Sequence, residues 1–174
     1  MEYKKKKISE VILYILNKTG GVDQYHLFKI LYFAEMKHIA KWGSRFVDDD
    51  FYALQYGPVP TKLYDEIKRL KTSYLSDSIK NAEDDASNTL IANRDCDEMY
   101  ISKSEREALD ESIRENAHLT FQQLVVKSHG HAWIEAKDKR PNKISIISMA
   151  EEMEADESML EYISEQIELD KALA

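Results

Sequence analysis

Apolar residues recur at helical spacing in two early segments of this chain, and the two segments differ in kind. Ile8, Val11, Ile12, Ile15 and Leu16 follow the i, i+3, i+4, i+7, i+8 pattern of an amphipathic helix, and Gly20-Gly21 ends it. In the second segment Leu27, Leu31, Ala34 and His38 share one stripe, while Phe28, Ile30 and Phe33 cover other faces. A helix with no clean polar face is buried, so other elements are expected to pack around it. Asp23 is placed to cap this central helix, which is expected to run to about Trp42 with Gly43 as its stop.

The pattern then changes period. Val47 to Asp50 reads as a turn, and the aromatic-rich run Phe51 to Tyr56 as a strand ending in Gly57-Pro58-Val59-Pro60. Pro58 restricts Gly57 to extended backbone, and Pro60 suits the first turn of a helix whose apolar face is Leu63, Tyr64, Ile67 and Leu70. Ser73 to Asp97 is polar, with Asn81 to Asn88 as a loop. Thr89 to Ala92 and Met99 to Ile101 are expected to pair as a short hairpin.

Three later segments open on a hydroxyl residue followed three positions on by Glu or Gln: Ser104 with Glu107, Thr120 with Gln123, and Ser148 with Glu151. That spacing predicts capping boxes, in which the two side chains satisfy each other's free backbone donors. The helix from Thr120 is expected to end near His129-Gly130. A last helix from about Glu157 is expected to bury Met159, Leu160, Ile163 and Ile167. The fold class is mainly α (α+β): a compact helical domain around a buried central helix, with a small antiparallel β-sheet. No repeat or low-complexity linker divides the chain, so residues 1–174 are expected to form one domain.

Composition narrows the function. At 174 residues and 43% hydrophobic content, the chain can fill one core. No run reaches the roughly 20 apolar residues that span a bilayer, and Lys4 to Lys7 lead into a charged helix rather than an apolar signal core. A cytoplasmic protein with no membrane partner is expected. Its one cysteine, Cys96, lies between Asp95 and Asp97, where negative charge raises a thiol pKa. A formal net charge of −8 speaks against general nucleic-acid affinity. Lys4 to Lys7 and the acidic stretch from Glu151 to Asp170 read as solvated faces; the alternatives are that one end contacts the other or that the acidic face meets a basic partner.

Catalytic chemistry is sparse. His129-Gly130-His131, with His118 upstream and Asp138 downstream, is the one cluster of metal-ligand type, but its spacing matches no zinc motif. A metal-dependent hydrolase using His129 and His131 is one alternative reading. A DNA-binding regulator is another, although the segment from Thr120 to His129 carries only Lys127 as a fixed cation. His26 and His38, twelve residues apart on the central helix, read as core histidines with satisfied hydrogen bonds. Glu35 and Lys37 read as surface residues. No phosphate-binding Gly-rich loop and no Gly-x-Ser-x-Gly turn is present. The chain is expected to need no cofactor and not to be an enzyme.

The segment Lys29-Ile30-Leu31-Tyr32-Phe33-Ala34, with His38 after it, is followed by an acidic link into Phe51 to Val59 and then by Tyr64. Together these resemble the Panacea domain, the SocA-like antitoxin family of bacteria and their phages. The likeness continues more weakly at Leu124 to Trp133 and spans about Ile8 to Ala136. It implies a mainly helical, phage-associated antitoxin of a two-gene pair that neutralises a toxin, encoded next to it, by direct protein contact. An alternative that the resemblance also implies is an adaptor delivering the toxin to a ClpXP-type protease. Exposed aromatics beside a rigid Gly-Pro turn are natural partner anchors. The candidate partner-binding residues are Trp42, Tyr52, Tyr56, Pro58 and Trp133, with Asp48, Asp49 and Asp50 offering charge complementarity.

Overall fold

The fold is described from a computed structural model for residues 2–83 and 88–174. It is mainly helical with a small antiparallel β component. Helix α1 (Glu2–Thr19) leads through β1 (Val22–Asp23) into α2 (Gln24–Trp42). Strands β2 (Phe51–Leu54) and β3 (Gly57–Pro60) follow, then α3 (Thr61–Lys68). Next come β4 (Ile79–Asn81), β5 (Thr89–Ala92) and α4 (Lys103–Asn116), then α5 (Phe121–Ser128) and α6 (His131–Ala136). The order ends with α7 (Ile146–Glu152) and α8 (Glu157–Leu173).

Helix α2 is the centre that its missing polar face predicted. Every residue from Leu27 to Met36 is buried, and α4, α5, α7, β1 and β3 pack around it. The Asp23 carboxylate accepts from the His26 amide at 2.9 Å, and Gly43 closes the helix in the left-handed region at φ +68°. Both α2 histidines are hydrogen-bonded. His38 bridges the Ser44 carbonyl and the Ser104 hydroxyl, and His26 bridges Asp23 and the Leu119 carbonyl. A contiguous set of buried apolar side chains runs from Ile8 to Ile163.

Two buried carboxylates tie distant segments to this core. Glu10 on α1 takes both terminal nitrogens of Arg94, at 2.7 and 3.0 Å, and the Asp97 amide at 2.7 Å. Burial alone would raise its pKa, but these donors outweigh it and hold Glu10 at about 2. Glu35 is not a surface residue. It is fully buried on α2, where its two oxygens accept from the Phe46 and Val47 amides at 3.2 and 2.7 Å.

Several local expectations are corrected. The run from Phe51 does not stay a strand to Tyr56: β2 ends at Leu54, and Gly57-Pro58-Val59-Pro60 is the second strand of a hairpin, paired Phe51 to Pro60 and Ala53 to Pro58. The backbone groups of Phe51 and Ala53 turn away from β3, to Ile144 and Asn142. The prolines therefore face positions that ask for no N–H, which is how an edge strand accommodates them. Gly57 has φ +113°, a conformation open to glycine, rather than ordinary extended backbone. Pro60 sits just before α3, and Val47 to Asp50 is irregular rather than a tight turn.

Thr89 to Ala92 does not pair with Met99 to Ile101. It forms the middle of a three-stranded sheet ordered β1-β5-β4, while Glu98–Tyr100 is a single 3-10 turn capped by Asp97. Asn81 belongs to β4, and residues 84–87 of the expected loop lie outside the described residues. The capping box of α4 uses Ser102 and Glu105 rather than Ser104 and Glu107, and α7 is capped by Ser145 rather than Ser148. The Thr120–Gln123 box forms as expected. Of the α8 residues expected inside, only Ile163 is buried; Met159, Leu160 and Ile167 are half-buried. Lys4, Lys6 and Lys7 pair with Asp48, Glu10 and Glu105, so this basic run does not meet the acidic C-terminal stretch through ion pairs among the described residues.

Candidate functional site

The β2–β3 hairpin is held by four side-chain hydrogen bonds to its backbone. Its carbonyls are held one after another from different elements. Asn142 donates to Ala53 at 2.8 Å, Trp133 of α6 to Leu54 at 2.9 Å, Tyr25 of α2 to Tyr56, and Lys29 of α2 to Pro58 at 2.8 Å. Each bond removes a way for the turn to move. The exposed tip, Gln55 and Tyr56, stands on a fixed base.

Around that tip lies a patch of rings. Tyr25 and Phe121 sit with centroids 4.5 Å apart, and Phe121 meets Tyr56 edge-on at 5.5 Å. Tyr56 is 52% exposed, with Phe121 and Leu54 also open to solvent. Trp133 is half-buried and stacks on His129 at 3.8 Å. Clustered apolar and amphipathic rings on a rigid base are the composition of protein-binding anchors. Strand alternation puts Tyr52 and Leu54 on one face of β2 and the buried Phe51 and Ala53 on the other.

Beneath the patch Lys29 is fully buried. Its ammonium lies 4.2 Å from the Tyr25 ring centroid and has no ion-pair partner among the described residues. Burial pushes its pKa from 10.5 down to about 7. Burial also lowers His129, with the nearby Lys29 charge acting in the same direction. Gly57 makes this packing possible, since a Cβ there would stand 2.7 Å from the Lys29 Cε.

The expected partner-binding residues fall into three places. Tyr52, Tyr56, Pro58 and Trp133 belong to the hairpin face, although Pro58 is buried and acts through its carbonyl. Trp42 is exposed at the far end of α2, roughly 25 Å along the axis from Tyr25. Asp48 is exposed and pairs with Lys4 at 3.1 Å; Asp50 pairs with Arg45 and Lys143 at 3.0 and 2.9 Å. Asp49 turns inward and accepts from the Leu63 amide at 2.8 Å, capping α3 where Pro60 offers no side chain.

Lys29, Tyr25, Leu54, Phe121 and Asn142 were not among the expected site residues. One of them carried a readable signal. Lys29 sits inside an apolar run with no acidic residue three or four positions away on the helix, so no partner on its own helix could neutralise it.

The metal-type cluster does not assemble. His129 stacks on Trp133, His131 bonds Glu151 at 2.8 Å, and among the described residues no group of three His, Cys, Asp or Glu could hold a metal ion. Cys96 is half-buried, and burial first, then the Glu98 and Glu10 charges, raise its thiol pKa. Lys127, the fixed cation of the expected DNA-reading segment, bonds Asn116 and lies 4.6 Å from the Phe33 ring centroid. No helix among the described residues is long and apolar enough to cross a membrane.

Comparison with known proteins identifies the family. The model of the antitoxin SocA-like family, Panacea domain, matches residues 27–134, more than half of the chain. The chain belongs to that family. None of the curated proteins and none of the solved structures compared with it matches.

Proposed function

We propose that this member of the SocA-like antitoxin family neutralises a cognate toxin protein by direct contact, with the hairpin face as the docking surface. The observation that carries this reading is the tip: exposed aromatic side chains on a turn whose carbonyls are fixed by Trp133, Tyr25 and Lys29. A surface that is rigid before binding loses little conformational freedom on association, so more of its contact energy appears as affinity.

In this reading Tyr56, Phe121 and Leu54 make the apolar contact. Tyr52 and Trp133 border it, and Pro58 and Lys29 hold the turn. Asp50, tied to Arg45 and Lys143, and Asp48 supply flanking negative charge for a basic rim on the toxin. Residues 1–174 act as one unit in the cytoplasm, and the role is binding rather than catalysis.

Co-expression with the neighbouring reading frame tests the function. That neighbour is expected to arrest growth alone and to be harmless with this protein present, and the two should co-purify. A neighbour that is not toxic, or a toxicity that persists, overturns the proposal. A toxin that disappears only in cells with an active ClpXP-type protease identifies the adaptor version. Tyr56→Ala tests the surface separately, because toxicity should return while the variant remains folded.

A further inference from the structure

The last helix turns one apolar row toward the molecule and leaves a second row open. Helix α8 packs mainly on α7, with Leu160, Ile163 and Ile167 toward the core. Beside that row run Met159, Tyr162, Gln166, Leu169 and Leu173, spaced alternately three and four residues apart. This is the spacing of a coiled-coil seam, which is covered when another helix lies along it. The seam starts against the end of α2, since a Cβ at Gly43 would stand 2.6 Å from the Tyr162 ring and 3.0 Å from the Met159 sulfur. It then runs out into solvent: Leu169 is 50% and Leu173 76% exposed, and Tyr162 is also open. Trp42, the expected anchor that the hairpin face does not include, immediately precedes Gly43 and is exposed as well.

The charges on α8 decide what fits there. The helix carries Glu157, Glu161, Glu165, Glu168 and Asp170 against a single cation, Lys171. Lys171 pairs with Glu168 at 3.0 Å, whereas Glu157, Glu161 and Glu165 form no ion pair among the described residues. A pitch of about 3.6 residues per turn sets Glu165 directly beside the seam, with Glu161 and Glu168 behind it. A second copy docking through the same face would bring these carboxylates against their own kind. An anionic lipid surface or a nucleic acid would be repelled in the same way. A helix with one apolar face and flanking cations meets both the seam and its charge.

We propose that the α8 seam binds a basic amphipathic helix of a partner polypeptide, with the apolar face of that helix on Tyr162, Leu169 and Leu173 and its cations on Glu161 and Glu165. The surface begins at the end of α2 away from Tyr25 and the hairpin tip, and it lies outside the residues 27–134 that the family model matches. It does not depend on the antitoxin reading.

The test is an amide-shift NMR titration of the full chain with a blocked peptide as long as α8, built of leucine and lysine at helical spacing. One control peptide carries glutamate in place of lysine, and a second has the same leucines and lysines shuffled so that no apolar stripe forms. The basic amphipathic peptide should shift the amides from Tyr162 to Leu173 saturably, and each control should bind at least about tenfold more weakly. Leu169→Ser combined with Leu173→Ser should weaken the basic peptide by a similar factor. If that pair loosens α8 itself, Glu161→Gln combined with Glu165→Gln, which keeps good helix formers, decides through a loss of at least about threefold. A smaller difference between the peptides, shifts centred elsewhere, no saturable shift, or self-association of the protein along α8 overturns the proposal.

Discussion

Lys29 and Glu35 lie six residues apart on the same helix, both fully buried, and both reach out to hold backbone of the loop-and-hairpin region. They do so on different terms. The two oxygens of Glu35 take two amides, and the Arg45 guanidinium stands 3.5 Å away. Lys29 has one carbonyl and the face of Tyr25. Burial moves both toward neutrality, Lys29 down and Glu35 up, each to about 7, and for Glu35 Arg45 and the two amides oppose the rise. The segment under Glu35 is thus locked into the core, while the hairpin over Lys29 is fixed in place but ends at solvent. One helix builds both a structural clamp and a presentation platform, and the number of compensating partners separates them.

Removing the stronger clamp should have the largest effect. Glu35→Ala strands the Phe46 and Val47 amides and leaves Arg45 beside an apolar core. A loss of about 3–5 kcal/mol in urea unfolding is expected. A loss below 1 kcal/mol, on this order-of-magnitude scale, would make the Glu35 end no stronger than the Lys29 end. Gly57→Ala strikes the platform instead. A side chain at φ +113° that also presses on Lys29 should cost about 2 kcal/mol or more and speed hydrogen exchange across the hairpin.

The two residues should also give opposite pH slopes. The folded state holds Lys29 at about 7 against 10.5 in the unfolded chain, so between those values the unfolded state binds the extra proton. Stability from this group therefore rises with pH, by up to about 1.4 kcal/mol per unit. Glu35 is held at about 7 against 4.5, so between those values the folded state binds the extra proton and stability from it falls as pH rises. Denaturation series from pH 5 to 9 should show Lys29→Met flattening the alkaline limb and Glu35→Gln the acidic one. At pH 7 Lys29→Met should change stability by less than about 1.5 kcal/mol, because an apolar chain fills the site without a buried charge.

The smallest effect on stability belongs to the tip. Tyr56→Ala should leave unfolding within about 0.5 kcal/mol and weaken toxin binding by about 30-fold, measured by calorimetry on the purified pair. A large stability loss there would mean that the tip belongs to the core and would erase the contrast.

Much of this architecture was legible because its signals are local. Asp23, Gly43, Thr120 and Gln123 act within one turn of their own helices, and their roles follow from spacing. Other signals were degenerate. Ser102 and Ser104 both precede a glutamate by three positions, and only tertiary contacts choose between them. Ser104 meets His38 at 3.0 Å, and Glu105 meets Lys7 at 2.6 Å. The prolines of β3 read as a stop because their tolerance depends on residues 142–144 taking the other edge of β2. Of the candidate site, Tyr56 and Trp133 were visible in the sequence, while Tyr25, Leu54, Phe121 and Asn142 were not.

By itself the sequence determined that an unusually apolar helix would be buried, where it would begin and end, and that an aromatic turn would follow it, since periodicity and capping are short-range physics. The tertiary structure alone decided that Lys29 and Glu35 would point inward, that Asp49 would cap α3 through the Leu63 amide 14 residues further on, and that Tyr25, Phe121 and Trp133 would gather at one hairpin. Those outcomes depend on which distant backbone groups lie within hydrogen-bond reach, and packing fixes that only once the chain has closed on itself.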